Sequence, residues 1–298
     1  MTITIEPLGG LGNQLFIYGL GLRLARERNT ELICDLWNFY GYEWHEYELD
    51  TFHNSISRTY SSRSREIFGY RSRGLIRRAR ALHMDPTSIV NLVLEHDSLF
   101  DSRVLLAPDG SRINGYFQSW RYFEPVADEL KEQISNPKNP SQWMHDTRKQ
   151  LSELGPWTAV HVRRGTYLQV PIMGLVGNDY YSRAISFLDN LVGDLPLVLF
   201  SDSPDLLTDL QSRYRDRVTV ISSPDYVRAI DVLQVMSDAS HLVIGNSTFS
   251  WWAAYLRDRS DRVVIAPRPW LDDKNFNERD LIPQSWLTMG RDSVLHDQ

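Results

Sequence analysis

The run Thr158-Ala159-Val160-His161-Val162-Arg163-Arg164-Gly165 opens the most regular part of this chain. A short, largely apolar segment ends at two arginines and a glycine, as a buried strand does where it runs out into a loop. The pattern then alternates. Helical spacing over 180–191 leads to an apolar run at 195–200, then a helix at 205–214 and a strand at 218–221. A helix at 226–237, a strand at 241–244, a helix at 249–257 and a strand at 262–266 complete the series. Strands separated by amphipathic helices imply βαβ units and a parallel sheet.

Upstream lies the polar, proline-rich stretch Asn136-Pro137-Lys138-Asn139-Pro140-Ser141, which reads as a linker. It divides the chain into an N-terminal domain, 1–140, and a C-terminal domain, 141–298. The N-terminal end has the same grammar. Residues 2–8 alternate and break at Gly9-Gly10, 13–27 have helical spacing through Leu15, Leu22 and Ala25, and 31–35 read as a second strand. From 36 to 115 the pattern loosens, with aromatic clusters and a helical run at 74–82. The expectation is an α/β protein with two Rossmann-like domains facing a cleft.

Composition narrows the classes. A length of 298 residues suits two ordinary domains, and 42% apolar with 23% charged residues excludes wholesale disorder. A net charge of −6 and a pI near 5.8 argue against a dedicated nucleic-acid binder, which needs a basic footprint. The single cysteine, Cys34, can form neither an intramolecular disulfide nor a multi-thiolate metal site. Neither a signal-peptide pattern nor a run of about 20 apolar residues is present, so a cytoplasmic location is expected. Of the basic residues, 28 are Arg and only four are Lys. Arg58, Arg63, Arg65, Arg71, Arg73, Arg77, Arg78 and Arg80 share one segment with a single acid, Glu66. That strip reads either as a solvated face or as a peripheral contact with an anionic membrane.

Chemistry concentrates in three places. In Gly9-Gly10-Leu11-Gly12-Asn13-Gln14, Gly10 and Gly12 let backbone approach a ligand, and the helix start favours negative charge or carbonyl oxygens. This is nearly a dinucleotide fingerprint, with Asp35 where a ribose-binding acid would be. However, Leu15 replaces the third glycine and would hold helix from strand. The amides of Asn13 and Gln14 also suit an uncharged polar ligand. The second place is His161 to Tyr167, at the C-terminal end of a parallel strand, where such sheets bind ligands. Alternation puts His161 and Arg163 on one face, and a guanidinium suits a diphosphate; an interdomain salt bridge is the plainer reading for Arg164. The third is Gly245-Asn246-Ser247-Thr248-Phe249-Ser250, a polar turn opening a helix, where N–H groups and hydroxyls can cradle an anion or simply cap the helix. An Arg-bearing strand end beside a hydroxyl-rich helix start points to one bound diphosphate.

These motifs, together with Gly115-Tyr116-Phe117-Gln118-Ser119, Phe200-Ser201-Asp202-Ser203-Pro204 and Ser250-Trp251-Trp252, occur in an order that resembles the bacterial α-1,2-fucosyltransferases of glycosyltransferase family 11. The resemblance spans about 5 to 270. It implies a GT-B architecture, GDP-fucose as co-substrate, inversion at the sugar carbon, and neither cofactor nor metal. It carries Asn13, His161 and Arg163 over as catalytic residues. Gly10, Gly12, Arg164, Asp202, Ser247, Thr248, Phe249 and Ser250 go to the donor pocket, with Asp231 reading the guanine edge. Gln118, Trp37 and Trp44 fall on the acceptor side, where aromatic rings stack on sugar faces or serve as core. Independently, no two of the 25 aspartates stand two positions apart, so the Asp-x-Asp that holds a divalent cation against a diphosphate is missing. One departure is Thr166, where the family has Asp, which leaves room for a different deoxyhexose or acceptor. No residue pattern specifies the acceptor or the oligomeric state. Two other classes stay open: a nicotinamide-dependent dehydrogenase, drawing on Gly10, Gly12 and Asp35, and a catalytically silent carbohydrate-binding relative.

Overall fold

The computed structural model describes residues 2–39, 45–59, 91–165, 167, 170–257 and 259–291. The chain forms two compact units, Met1–Asn136 with Arg279–Leu281, and Pro137–Glu278 with Ile282–Gln298. Each is built on its own parallel sheet. The expected helix at 74–82 lies outside the described residues.

In the first unit, β1 (Thr2–Ile5), α1 (Leu11–Arg28), β2 (Glu31–Asp35), β3 (Ser57–Thr59), β4 (Leu92–Leu94), β5 (Arg112–Asn114) and α2 (Ala127–Ile134) follow in sequence. The strand order is β3-β2-β1-β5-β4, with Ile5 opposite both Cys34 and Ile113. Buried Ile3, Ile5, Leu32, Cys34 and Ile113 make the sheet part of the core. The approach of α1 to the strands corrects the reading of Leu15. That side chain is fully buried, and the close contact is made further along the helix, at Gly21. A Cβ there would lie 2.6 Å from Ile5 and 2.9 Å from Leu32, so only glycine lets the helix settle on the sheet. The helix stops at Asn29, whose left-handed conformation (φ 49°) turns its N–H back onto the last carbonyls.

The second unit contains α3 (Gln142–Ser152), β6 (Thr158–Val162), α4 (Asn178–Val192), β7 (Leu197–Ser201), α5 (Thr208–Arg213), β8 (Val218–Ile221), α6 (Ala229–Ser237), β9 (His241–Val243), α7 (Thr248–Leu256), β10 (Val264–Arg268) and β11 (Leu287–Gly290). All pairings are parallel, in the order β11-β10-β9-β6-β7-β8. Every residue of β6 is buried, as expected for a central strand covered on both faces. Val160, Tyr180, Tyr181, Leu199, Val243 and Ile265 belong to one apolar cluster. Trp251 and Trp252 are also fully buried, with Trp251 stacked 4.7 Å from Tyr255.

Both sheets have a switch point. From β1 the chain builds outward through β2 and β3, and β5 and β4 then occupy the other side. From β6 it builds through β7 and β8, then returns through β9, β10 and β11. Loops at the carboxyl ends of the two strands flanking such a point leave in opposite directions and open a crevice, the preferred ligand site of open parallel sheets.

Candidate active site

At the second unit's switch point, β6 ends in His161 and Val162, with Arg163 just beyond, while β9 leads through Gly245 into α7. The two ends pack closely: a Cβ on Gly245 would lie 3.1 Å from the carbonyl oxygen of His161. His161 is 5% exposed, its ring is 5.9 Å from that of Phe249, and its buried Nδ1 has no hydrogen-bond partner. Burial, followed by the nearby Arg163 cation, pushes its pKa down to about 3, so the imidazole is neutral at ordinary pH. Arg163 remains partly exposed. Its Nη1 is 2.9 Å from Oδ2 of Asp202, just beyond β7, and its guanidinium lies 5.4 Å from the centre of the Tyr167 ring. The other Asp202 oxygen accepts the Arg164 backbone N–H at 2.9 Å. Asp202 can sit over this turn only because residue 165 is glycine, where a Cβ would be 2.1 Å from Oδ2.

Arg164 turns to a different task. It is 8% exposed, and donates from Nη1 to the Val176 carbonyl at 2.5 Å and from Nη2 to Asn178 Oδ1 at 2.9 Å. The same loop is held by Asn246, whose Nδ2 donates to the carbonyls of Met173 at 2.7 Å and Gly174 at 3.0 Å. As placed, Arg164 orders the entry to α4, and Arg163 is the more exposed cation of the pair. At the start of α7, the Ser247 hydroxyl accepts the Phe249 N–H at 3.3 Å, and buried Ser250 donates to the Ser247 carbonyl at 3.1 Å. Two of the three hydroxyls therefore satisfy the turn itself, while Thr248 and Phe249 are half-buried. A guanidinium beside a helix N-terminus is an arrangement suited to a diphosphate. Asp231 is fully buried in the first turn of α6, with Arg228 Nη2 at 3.3 Å, and so offers no open carboxylate to a guanine edge as placed. Among the described residues, no group of three or more His, Cys, Asp or Glu could hold a metal ion.

The first unit brings Asn13 and Gln118 together at its own switch point: Gln118 Nε2 donates to Asn13 Oδ1 at 3.0 Å. Gly9, with φ of 73°, turns the chain into α1, and Gly10 lies against the His45 ring. Gly12 is buried inside the first turn. Gln14 does not face a ligand. It is fully buried, donates to the carbonyls of Gly9 at 2.8 Å and Glu46 at 2.7 Å, and accepts from the Glu48 N–H at 2.8 Å. The Glu48 carboxyl is pushed up to about 7 by burial, against the pull of the Leu11 N–H. Asp35 is fully buried and committed to Arg112 Nη2 at 2.6 Å and the Trp37 N–H at 3.1 Å. That removes the ribose-binding acid a nicotinamide enzyme would need. Trp37 is half-buried; Trp44, Thr166 and the strip beyond Arg58 lie outside the described residues, and Arg58 pairs with Asp50 at 3.0 Å.

Sequence reasoning places Tyr167 at the end of the second motif without giving it a role, and does not single out Glu48 or Glu95. Tyr167 donates to the Asn246 carbonyl at 3.1 Å and so ties the β6 loop to the α7 turn. Its place two residues after Gly165 was the available signal. Glu48 and Glu95 act on segments far along the chain, which spacing cannot reveal.

Comparison with known proteins gives the family and the fold. An Escherichia coli α-1,2-colitosyltransferase is 29% identical over 96% of this chain and 99% of its own length. A Caenorhabditis elegans galactoside 2-α-L-fucosyltransferase is 25% identical over 59% of this chain and 51% of its own. The crystal structure of the fucosyltransferase NodZ from Bradyrhizobium superposes with a TM-score of 0.51 at 11% identity, covering 85% of this chain and 92% of that one. This likeness concerns the fold, which is α/β of the GT-B type. The family model described as Glycosyl transferase family 11 matches residues 112–289, a span that takes in Gln118, the His161–Arg164 strand end, Asp202 and the α7 turn. With that match across more than half its length, the chain is an enzyme of glycosyl transferase family 11.

Proposed function

We propose that this enzyme moves L-fucose, or the related deoxyhexose colitose, from a GDP-sugar to the 2-hydroxyl of a galactoside, with inversion and without a metal ion. The observation that carries the reading is the conjunction of Arg163 with the N-terminus of α7 at the second switch point. As the bond from the anomeric carbon to the β-phosphate oxygen breaks, negative charge grows on the departing diphosphate and positive character on the ring. The Arg163 guanidinium and the N–H groups at the start of α7 stabilise the former. The acceptor 2-hydroxyl oxygen attacks the opposite face of the anomeric carbon as the bond to the β-phosphate oxygen breaks, hence inversion, and its proton is released to water. His161, neutral and weakly basic, orients by hydrogen bonding rather than by titrating. In the first unit, the amides of Asn13 and Gln118 recognise sugar hydroxyls and Trp37 offers an aromatic face. The choice of deoxyhexose draws on the names of the relatives, and metal independence on the missing Asp-x-Asp.

The test is a panel of GDP- and dTDP-linked sugars, each with a galactoside acceptor, reading released nucleotide. Turnover confined to GDP-fucose or GDP-colitose is the expected result; activity only with dTDP-sugars, or none, would reject the reading. A cytoplasmic enzyme docking peripherally through the strip at 58–80 would co-sediment with anionic vesicles and be released by salt, whereas failure to bind at low salt rejects that contact.

A further inference from the structure

We infer that Glu95 is a positioning residue of the transfer reaction: its carboxylate sets the loop that aims Gln118 at Asn13. The inference rests on the proposed role of that amide pair. Glu95 follows β4, beside β5, and its backbone N–H donates to the Asn114 carbonyl at 3.2 Å. Its side chain then reaches over the loop that leaves β5. Oε2 accepts the Tyr116 N–H at 2.7 Å and Oε1 the Phe117 N–H at 2.7 Å. Two consecutive backbone donors thus converge on one acidic group, and a carboxylate is the side chain that offers each of them its own acceptor oxygen.

The loop needs that hold. Phe117 adopts φ of 48°, a left-handed conformation rare for an aromatic residue, while its ring is fully buried and edge-on to Tyr122 at 5.5 Å. Gly115, with φ of 153°, admits the acid, since a Cβ there would stand 2.4 Å from the Cβ of Glu95. The outcome of this geometry is the 3.0 Å bond from Gln118 Nε2 to Asn13 Oδ1. That bond takes the carbonyl end of the Asn13 amide and leaves its Nδ2 end toward Gly9. An uncommon backbone conformation locked by a half-buried acid, with an amide pair at its tip in a switch-point crevice, is the pattern of a site held ready for a ligand.

The experiment is a double-mutant cycle with Glu95→Gln and Gln118→Ala in the full chain, read as kcat/KM, melting temperature and amide hydrogen exchange. Glu95→Gln keeps the size but turns an NH₂ group toward backbone donors. It is expected to lower kcat/KM about tenfold in the wild-type background and by less than about twofold beside Gln118→Ala, because it acts through Gln118. The amides of residues 116–118 should exchange at least about tenfold faster, while those of α1 keep their rates. Equal losses in both backgrounds, or unchanged exchange at 116–118, would overturn the inference. A wild-type enzyme inactive with every deoxyhexose donor would count against the proposed function instead, and hydrogen exchange would still decide the role of Glu95.

Discussion

Replacing Arg163 by alanine separates the cation proposed to serve the leaving group from those that serve the fold. Arg163 is tied to Asp202 at 2.9 Å, but both side chains are about one-quarter exposed, 24% and 23%. A pair so open to solvent contributes only about 0–1 kcal/mol to stability. Asp202 also keeps the Arg164 N–H at 2.9 Å after the change, so the variant should melt close to wild type. The kinetic effect has a different origin. A donor that strengthens as charge develops on the diphosphate is worth about 3–4 kcal/mol in the transition state, so kcat should fall by about 10²–10³. Arg163→Lys should recover only part of this, because a point charge lacks the two-pronged geometry. Initial rates of GDP release with saturating acceptor, alongside thermal denaturation, make the measurement. Near-normal kcat in a folded Arg163→Ala protein would refute the assignment of the diphosphate to this strand end.

Arg164→Ala should behave in the opposite way. It removes two charge-assisted bonds and leaves the Val176 carbonyl without its donor, so about 2–4 kcal/mol and about 5–10 °C in melting temperature should be lost; an unchanged melting curve would contradict its structural role. His161 has a depressed native pKa, so the unfolded chain takes up a proton that the native state refuses as pH falls from about 6.5 toward 3. Stability should therefore drop with acidification through that window. His161→Gln should remove about 2 kcal/mol of the loss between pH 7 and 5, measured by urea denaturation at both pH values, and identical pH dependence in the two proteins would show that the imidazole titrates normally. Treatment with EDTA should leave kcat unchanged, whereas loss restored by Mg²⁺ or Mn²⁺ would move the diphosphate from Arg163 to a cation.

Much of the second unit was legible because its strands alternate with amphipathic helices and the central ones, β6, β7 and β9, are buried on both faces. Thr158–Val162 and Val218–Ile221 coincide with the expected runs, and the other ends move by only a few residues. The first unit was harder: β3, β4 and β5 have three residues each, too few for periodicity to register. Helix α3 carried a usable signal. Ser141 accepts the Met144 N–H at 3.2 Å as an N-cap, and Met144, Thr147 and Leu151 repeat along one buried stripe. Within the candidate site, alternation along β6 distinguishes Arg163 from Arg164 but cannot show that residues 173–178 fold back to receive Arg164. Nor does spacing reveal that Arg112 engages Asp35, or that Gln14 is spent on the loop at 46–48. These are contacts between segments tens of residues apart, set by packing rather than by local pattern.

The central claim is the transfer of a deoxyhexose from a GDP-sugar at the Arg163–α7 site, and NMR analysis of the product tests it most directly. Purified enzyme incubated with GDP-β-L-fucose and a β-galactoside should give a single disaccharide linkage, α-1,2, with the anomeric configuration inverted and GDP released in equal amount. A product with retained β configuration, or no glycoside from either GDP-fucose or GDP-colitose, would contradict the account.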